Sequence, residues 1–391
     1  MKSHPSRKRW INPGLVVTGL FFLLGTDAFS AEEEKHRRSF FDPNDGWLDL
    51  SEFIEHPMGF IPMVVPITEP AIGYGGAFAP VFIRPGKSKQ TGKAERPQIT
   101  AVGGMRTQNG SDGLVAFNKS YWFEDRLETV VAGVSASVNL DFHGIGENLS
   151  FGGDPMRYNL DAQGGMVQGR ARLGDTDWWI GARYIYAQIA ASFVRPDGFP
   201  EIIPERSFES TVGGLSLLIQ HDTYDNLFTP TKGHLWQLDL GFYDQAFGAS
   251  GTWQTLDAVA IHYWPLGEKF TAGLRTDLHA AFGDPPFYML PSVQLRGVPV
   301  MSIQGDAVAS VEAEVRWQLH HRFSLLLFGG AGASWLDAER LDNIKTTVSG
   351  GVGFRYLISK RFGLHMGMDV AIAEDGDPAL YIQFGNAWQR L

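Results

Sequence analysis

The sequence predicts an all-β fold, a 16-stranded antiparallel transmembrane β-barrel preceded by a short N-terminal periplasmic segment. Three observations carry this prediction. The chain begins like an exported protein, it is 44% hydrophobic without a second long apolar run, and many of its segments alternate between apolar and polar residues. A barrel combines these properties because its lipid-facing and lumen-facing residues alternate along each strand and never form a continuous apolar block.

The first thirty residues have the pattern of a secretory signal peptide. Basic residues at positions 2–9 precede an apolar run at 15–24, and small residues surround a cleavage point after Ser30. The apolar run is too short for a membrane helix, which needs about 20 residues. We therefore expect residues 1–30 to be removed, residues 31–70 to form a pre-barrel segment, and residues 71–391 to form a barrel in the bacterial outer membrane.

Composition narrows the classes of partner. The chain contains no Cys, so disulfides do not stabilise it, and its formal net charge is −10. An acidic chain is poorly suited to bind nucleic acid. We expect no nucleic-acid partner and no cofactor.

The pre-barrel segment contains a stretch that is similar to a calcium-binding loop. With Asp42 at the first ligand position, Asn44 falls at the third, but Gly46 arrives at the fifth position and Glu52 at the eleventh. An EF-hand needs Gly at the sixth position and Glu at the twelfth. We expect no metal site, but a turn and a short helix that plugs or caps the periplasmic mouth, with one apolar face made of Trp47, Leu50, Phe53 and Ile54.

Strands are predicted from period-two alternation. The clearest segment is 308–319, in which Glu312, Glu314 and Arg316 share one face and apolar residues share the other. Placing three charges in lipid costs several kcal/mol for each. That face must therefore point into a hydrated or ion-paired lumen.

Fifteen segments alternate in this way, although single-chain bacterial barrels close with an even number of strands. We predict the sixteenth strand at 61–67, where Pro62 and Pro66 cannot donate to a ladder and suit an edge or the seam. The fifteen segments are 72–83, 98–106, 114–123, 127–140, 165–173, 178–190, 211–220, 236–242, 253–264, 270–282, 308–319, 323–335, 345–358, 362–373 and 380–388. Seven tryptophans are expected in interfacial girdles or loops: Trp178, Trp179, Trp236, Trp253, Trp317, Trp335 and Trp388.

The connections sort by length. Residues 174–177 and 359–361 form short polar turns on the periplasmic side, whereas residues 141–161 and 195–210 are long enough for outside loops. The longest interruption in the second half of the chain is 283–306.

Three motifs follow one another from about residue 222 to residue 388. The first is a hairpin motif, the second lies in the 283–306 interruption, and the third is a terminal aromatic strand. Together they resemble the BamA/TamA superfamily of outer-membrane assembly barrels, the bacterial surface antigen family. The hairpin motif consists of Asp225, Asn226, Pro230, Thr231 and Gly233. The loop motif consists of Leu295, Arg296, Gly297 and Val298, and the terminal strand motif of Tyr381, Phe384, Gly385 and Trp388.

The resemblance implies that the 283–306 interruption is the sixth loop of the family, which folds back into the lumen, where its arginine pairs with inward acids. On this mapping Arg296 lies near Glu314, with Glu312 as a second lumen partner. The sequence departs from the family at 330–332, where Gly-Ala-Gly replaces an inward Asp, and at Val298, which replaces an aromatic residue. These departures predict fewer partners for Arg296 and a loop that is held less firmly.

The pre-barrel segment is about half as long as one periplasmic POTRA domain of the family, so the resemblance is to a branch that lacks such domains. The implied function is assistance in the insertion or transport of protein or lipid at the outer membrane, with outer-membrane lipids and a client as partners and no catalytic chemistry. Three glycines, Gly73, Gly75 and Gly76, are expected to weaken pairing at the seam, or else to allow close packing inside the barrel.

Three alternatives remain open. The chain could be a passive pore or structural barrel without assembly activity, since fold does not fix function. A calcium-binding or scaffold role would use the pre-barrel stretch. An enzyme would use groups such as His143, His221, Asp222, His262, His279 and Ser292, but their spacing implies no nucleophile, base and orienting group in mutual reach.

Overall fold

The structure, a computed structural model, describes residues 40–55, 61–67, 72–84, 98–142, 156–193, 207–337, 342–374 and 378–388. The predicted signal peptide, its cleavage site and His143 lie outside these residues. In the described part, one short helix precedes a single antiparallel sheet of sixteen strands. The predicted all-β barrel is thereby confirmed.

The elements follow one another as α1 Ser51–Glu55, β1 Ile61–Ile67, β2 Gly75–Arg84, β3 Gln98–Thr107, β4 Asp112–Trp122, β5 Leu127–Phe142, β6 Met156–Arg172, β7 Trp178–Phe193, β8 Ser207–Asp222, β9 Gly233–Tyr243, β10 Trp253–Pro265, β11 Phe270–Gly283, β12 Ala307–His320, β13 Phe323–Asp337, β14 Asp342–Ser359, β15 Leu364–Ala373 and β16 Ala379–Phe384. Two 3₁₀ turns lie at Gln245–Phe247 and Phe287–Met289. None of the described helices is long and apolar enough to cross a membrane.

Each strand pairs with the next in chain order, from β1 to β16. Among the described strands, β1 and β16 are neighbours across the remaining gap but are not a hydrogen-bonded pair, so the barrel is nearly closed. We call this gap the seam. The strand predicted at 61–67 exists as β1 and forms one edge of the seam.

The two faces of the wall separate by chemistry, as the alternation predicted. On β12, the side chains of Glu312 and Glu314 are only 1% and 4% exposed, because they point into the packed lumen. Their neighbours Val311, Val315 and Trp317 are about 40% exposed on the outer face. Apolar residues that remain exposed on the outer side of a strand such as β12 are what a lipid-facing surface requires.

Several predicted ends need correction. β2 begins at Gly75, and β6 begins at Met156 rather than at residue 165, so the outside loop predicted at 141–161 is partly strand. The last strand ends at Phe384, because the chain turns away at Gly385, which has a positive φ of 81°. Three predicted girdle tryptophans are instead buried inside the barrel: Trp179, Trp253 and Trp388.

The pre-barrel segment also differs from its prediction. Its helix has only five residues, and the described contacts of the segment are with β13, β14 and the turns that follow β12 and β14. Trp47 is 43% exposed and packs edge-on against Phe323 on the outer side of β13, whereas Ile54 is buried. These two side chains therefore do not share one apolar face, and the side chain of Phe53 lies outside the described part.

Candidate functional site

The sixth loop, residues 284–306, carries Arg296 into the lumen. The guanidinium donates from Nε to Glu312 Oε1 at 2.9 Å, from Nη2 to Glu314 Oε2 at 3.0 Å and from Nη1 to Asp369 Oδ2 at 3.0 Å. The backbone N–H of Arg296 donates to the other oxygen of Glu312 at 3.1 Å. All four side chains are buried, so each charge depends on its partners to offset the loss of water.

Aromatic rings and a second arginine complete this lumen cluster. The guanidinium carbon of Arg296 lies 3.6 Å from the centre of the Phe328 ring, a short cation–π contact. Arg355 donates to both oxygens of Asp369, at 2.5 and 2.9 Å. Two arginines thus neutralise most of the charge of Glu312, Glu314 and Asp369.

Asp369 is the lumen acid that the sequence analysis missed. The prediction of fewer partners for Arg296 is wrong because the third carboxylate comes from β15 rather than from β13. The alternation of β15 contained the signal. Met368 and Val370 are exposed outward on either side of Asp369, which is 0% exposed.

The glycines on β13 have a different role from the missing acid. A Cβ atom at Gly332 would lie 2.4 Å from Cγ1 of Val293, and one at Gly330 would lie 2.9 Å from Cδ2 of Leu295. Both loop residues belong to a buried apolar cluster. The absence of side chains at 330 and 332 therefore makes room for the returning loop and allows it to pack firmly.

Gly297 allows the loop to turn beside the last strands. It has a positive φ of 96°, and a Cβ atom there would lie 3.0 Å from the backbone of Ile372. Its N–H donates to the hydroxyl of Tyr381 on β16 at 3.0 Å. Val298, which replaces the aromatic residue of the family pattern, is 5% exposed within the same apolar cluster.

Residues 385–388, which follow β16 and which we call the hook, enter the lumen. Trp388 packs with Val259, Ile261 and Tyr263 on the inner wall, and its Nε1 donates to Glu312 Oε1 at 2.6 Å. The predicted terminal signal therefore divides in two. Phe384 lies at the end of β16, whereas Trp388 belongs to the lumen cluster.

The hairpin motif forms the link between β8 and β9, residues 223–232. Asp225 accepts hydrogen bonds from the hydroxyl and N–H of Thr231, at 2.5 and 2.9 Å, and from the N–H of Lys232. Burial of Asp225 opposes its ionisation, but these donors outweigh that effect and hold its pKa below the usual range. The motif therefore has a structural role that fixes the link.

The link contacts distant parts of the barrel. Asn226 Nδ2 donates to the carbonyl of Phe362 at 3.0 Å, in the turn after β14. The buried carbonyl of Pro230 accepts from Arg316 of β12 at 2.9 Å, and the N–H of Asn386 donates to the carbonyl of Phe228 at 2.7 Å. The link therefore contacts β12, the β14–β15 turn and the hook, and with the sixth loop and the hook it occupies the lumen on this side of the barrel.

The seam lies elsewhere than predicted. Gly75 and Gly76 belong to β2, which pairs with β1 on one side and β3 on the other, and Gly73 lies just before β2. They are one strand away from the seam, so they do not weaken its pairing. The seam edge is β1, in which Pro62 and Pro66 lack N–H donors.

The stretch with similarity to a calcium loop binds an arginine instead. Asp42, Asp45 and Asp49 surround the guanidinium of Arg322, whose side chain is 0% exposed, at 2.8–3.1 Å. Lys360 approaches Asp42 and Asp45 at 2.5 and 2.7 Å. We call these five residues the rim cluster.

Electrostatics fix the charges of the rim cluster. The hydrogen bonds from Arg322 hold the pKa of Asp45 well below its usual range, and the hydrogen bond from Lys360 lowers the pKa of Asp42. Hydrogen bonds to Asp42 and Asp45 in turn raise the pKa of Lys360. The described residues contain no group of three His, Cys, Asp or Glu side chains placed to hold a metal ion.

The candidate enzymatic groups are dispersed over the barrel. His221 bonds to His234 and His262 accepts from Trp236, on the outer face. Asp222 accepts a hydrogen bond from the N–H of Tyr224 at the start of the β8–β9 link. His279 bonds through Nδ1 to Asp257 at 2.5 Å and lines a lumen cavity of about 340 Å³.

Ser292 lines the same cavity as His279, although no hydrogen bond joins the two side chains in the described structure. These contacts assemble no nucleophile and base within hydrogen-bonding distance of each other.

No family model matches the sequence. A search of characterised proteins also finds no match. Among solved structures, the chain is similar to BamA from Haemophilus ducreyi lacking POTRA domains 1–3, with a TM-score of 0.54 and 13% identity over 83% of this chain and 69% of that one. This chain has the fold of the BamA barrel. It is also similar to CdiB from Acinetobacter baumannii, with a TM-score of 0.48 and 11% identity over 83% of this chain and 59% of that one.

Proposed function

We propose that this chain works in the outer membrane, where it assists the insertion or transport of protein or lipid through its seam. Outer-membrane lipids and a client protein or lipid are its partners, and the action is mechanical, without a cofactor or a catalytic residue. The proposal takes the general activity from the resemblance to BamA-type barrels.

The observation that carries the proposal is the unpaired seam. Interior strand pairs are long, with β5 and β6 in register over sixteen residue pairs, so separating them would break a full ladder. The described strands β1 and β16 share no such ladder, and they have only seven and six residues. Separating them therefore costs less than separating any other neighbours, because an exposed strand edge is already present.

A passive pore is the second candidate, and the elements that fold into the lumen argue against a wide one. Arg296 of the sixth loop, Trp388 of the hook and Pro230 of the link all lie buried within the barrel. A wide water-filled channel requires an interior that side chains leave open. In planar bilayers we expect small or rare conductance steps, and a large, stable, ungated current would favour the pore.

Reconstitution tests the proposal directly. The purified chain is placed in liposomes, an unfolded outer-membrane barrel is added, and its folding is followed by the shift in gel mobility of unheated samples. Movement of a fluorescent lipid between leaflets is measured in parallel. We expect at least one of the two rates to exceed that of liposomes containing a closed, unrelated barrel by severalfold. Rates equal to that control for both protein and lipid would refute the proposal.

Depletion in cells supplies the second arm of the test. We expect a change either in the set of outer-membrane proteins or in the asymmetry of outer-membrane lipids, compared with the parent strain. The kind of change identifies whether protein or lipid is the client.

A further inference from the structure

The rim cluster joins the pre-barrel segment to the barrel through one arginine. All five N–H donors of Arg322 are used: Nε on Asp45, Nη1 on Asp49 and the carbonyl of Leu357, and Nη2 on Asp42 and Asp45. Arg322 lies in the turn between β12 and β13. A fully buried guanidinium with three carboxylates is a specific binding site for this acidic segment, since removal of either side leaves buried charges without partners.

Further hydrogen bonds extend the attachment to β14, including its last residue, Ser359. The N–H of Leu50 donates to the carbonyl of Ile358 at 2.7 Å, and the hydroxyl of Tyr356 donates to the carbonyl of Leu48 at 2.7 Å. The hydroxyls of Ser51 and Ser359 are 2.9 Å apart. Residues 42–51, which we call the strap, are therefore attached to the β16 side of the seam.

The same chain continues into the other side of the seam. Only five residues, 56–60, separate the end of α1 from the start of β1. Six Cα-to-Cα steps span at most about 20 Å. The β14–β15 turn is roughly three strand spacings from β1, or about 14 Å. While the strap is attached, the start of β1 can move away by little more than the width of one additional strand.

We propose that the strap is a fastening across the seam, which keeps β1 beside β16 until the acidic segment leaves Arg322 and Lys360. The hook already fixes the β16 edge from the inside, through Trp388 and Asn386. The strap supplies the corresponding restraint on the β1 edge from the rim. This inference rests on the proposed function only in that it takes the seam to be the part that opens.

Hydrogen exchange of the full-length barrel in lipid nanodiscs tests the fastening. Arg322→Ala removes the centre of the rim cluster, and we expect exchange in peptides covering 61–67 and 379–384 to rise at least about tenfold, with β6 and β7 unchanged. Arg126→Ala is the matched control. It removes the same charge from another short turn, where the ion pair with Asp175 at 3.1 Å is exposed. Equal seam exchange in the two variants would overturn the inference.

An engineered disulfide keeps the test valid if Arg322→Ala folds poorly. The chain has no Cys. The hydroxyl oxygens of Ser51 and Ser359 are 2.9 Å apart, so a small approach would bring two sulfurs at these positions to the bonding distance of about 2.05 Å. With Ser51→Cys and Ser359→Cys in the otherwise native chain, oxidation should slow seam exchange and reduction should return it to the native rate. In the Arg322→Ala background, oxidation should restore protection. Failure of oxidation to protect the seam in either background would overturn the inference.

These readouts separate the fastening from the activity. Exchange at the seam needs no client, so the fastening is judged without an insertion or lipid-transport assay. If oxidation protects the seam but does not slow either reconstituted rate, the fastening stands and the proposed use of the seam fails. If both rates fall on oxidation and recover on reduction, both proposals are supported.

Discussion

Replacement of Arg296 by alanine gives the most direct test of the lumen cluster. The change leaves three buried carboxylates with reduced pairing, although Asp369 keeps Arg355 and Glu312 keeps the Trp388 indole. Glu314 loses its hydrogen bond from Nη2. Breaking a buried ion pair by removing one partner costs about 3–5 kcal/mol. For a chain of 391 residues, with an unfolding entropy of about 2.1 cal/mol/K per residue, this corresponds to a fall of roughly 4–6 °C in melting temperature.

The assay is the temperature at which the folded band disappears in gels of unheated and heated samples. Arg126→Ala is the control, because its exposed ion pair with Asp175 should contribute at most about 1 kcal/mol. Addition of Glu314→Gln to Arg296→Ala should recover part of the loss, since the amide carries no charge. A melting temperature for Arg296→Ala equal to that of Arg126→Ala would refute the assigned role of the three carboxylates.

Three further outcomes are expected. Gly332→Ala should loosen the sixth loop and cost about 1–3 kcal/mol, because its Cβ would overlap Val293. Gly329→Ala is the control, since a Cβ there meets its nearest atom only at 3.5 Å. Equal protease sensitivity of the loop in both variants would contradict this reasoning. Trp388→Phe keeps an aromatic side chain but has a smaller ring and loses the 2.6 Å bond to Glu312, so it should cost at least about 1.5–3 kcal/mol, while Trp317→Phe on the outer face should change little. Equal melting temperatures would argue against that bond. Because the pKa values of Asp42 and Asp45 are lowered, attachment of the strap should hold from pH 7 to about 5 and weaken as the pH falls below about 4, where free aspartate protonates. The measurement is hydrogen exchange of residues 42–51 in the native chain, which keeps the whole rim cluster and the neighbouring His321, and the rates are corrected for their intrinsic pH dependence. A transition near pH 6 would contradict this prediction.

The barrel was predictable because one physical rule repeats along the chain. A strand between lipid and lumen must alternate, so Glu312 and Glu314 indicated the inner face of β12. The edge strand at 61–67 came instead from the even strand count of bacterial barrels, and its prolines fitted an edge because proline is tolerated where a neighbour needs no N–H.

Side-chain partners were less predictable, because alternation gives the face of a residue but not its height or its neighbour across the lumen. Asp369 was overlooked for this reason, although its strand alternates clearly. Gly330 and Gly332 appeared to be a loss of an acid, whereas their function depends on a loop that approaches from outside the local sequence.

The strap shows the same limit. The register of Asp42, Asn44, Gly46 and Glu52 argued against an EF-hand, because Gly and Glu arrive one position too early. It could not indicate Arg322, which is more than 270 residues away along the chain. Charged groups that recognise each other across a fold leave no periodic trace in the sequence.

The wall of the barrel is uneven in height. β6 has 17 residues and β16 has six. At about 3.3 Å per residue and a tilt of about 40°, these strands rise roughly 43 Å and 15 Å. A hydrocarbon layer is matched by an apolar band about 25 Å tall, so the described ladder of β16 is shorter than that band by about 10 Å. A bilayer around this barrel would thin beside β16 to match it, at a cost of fractions of a kcal/mol for each ångström. Such thinning would leave a shorter hydrophobic barrier for any polar headgroup or chain that crosses at that arc.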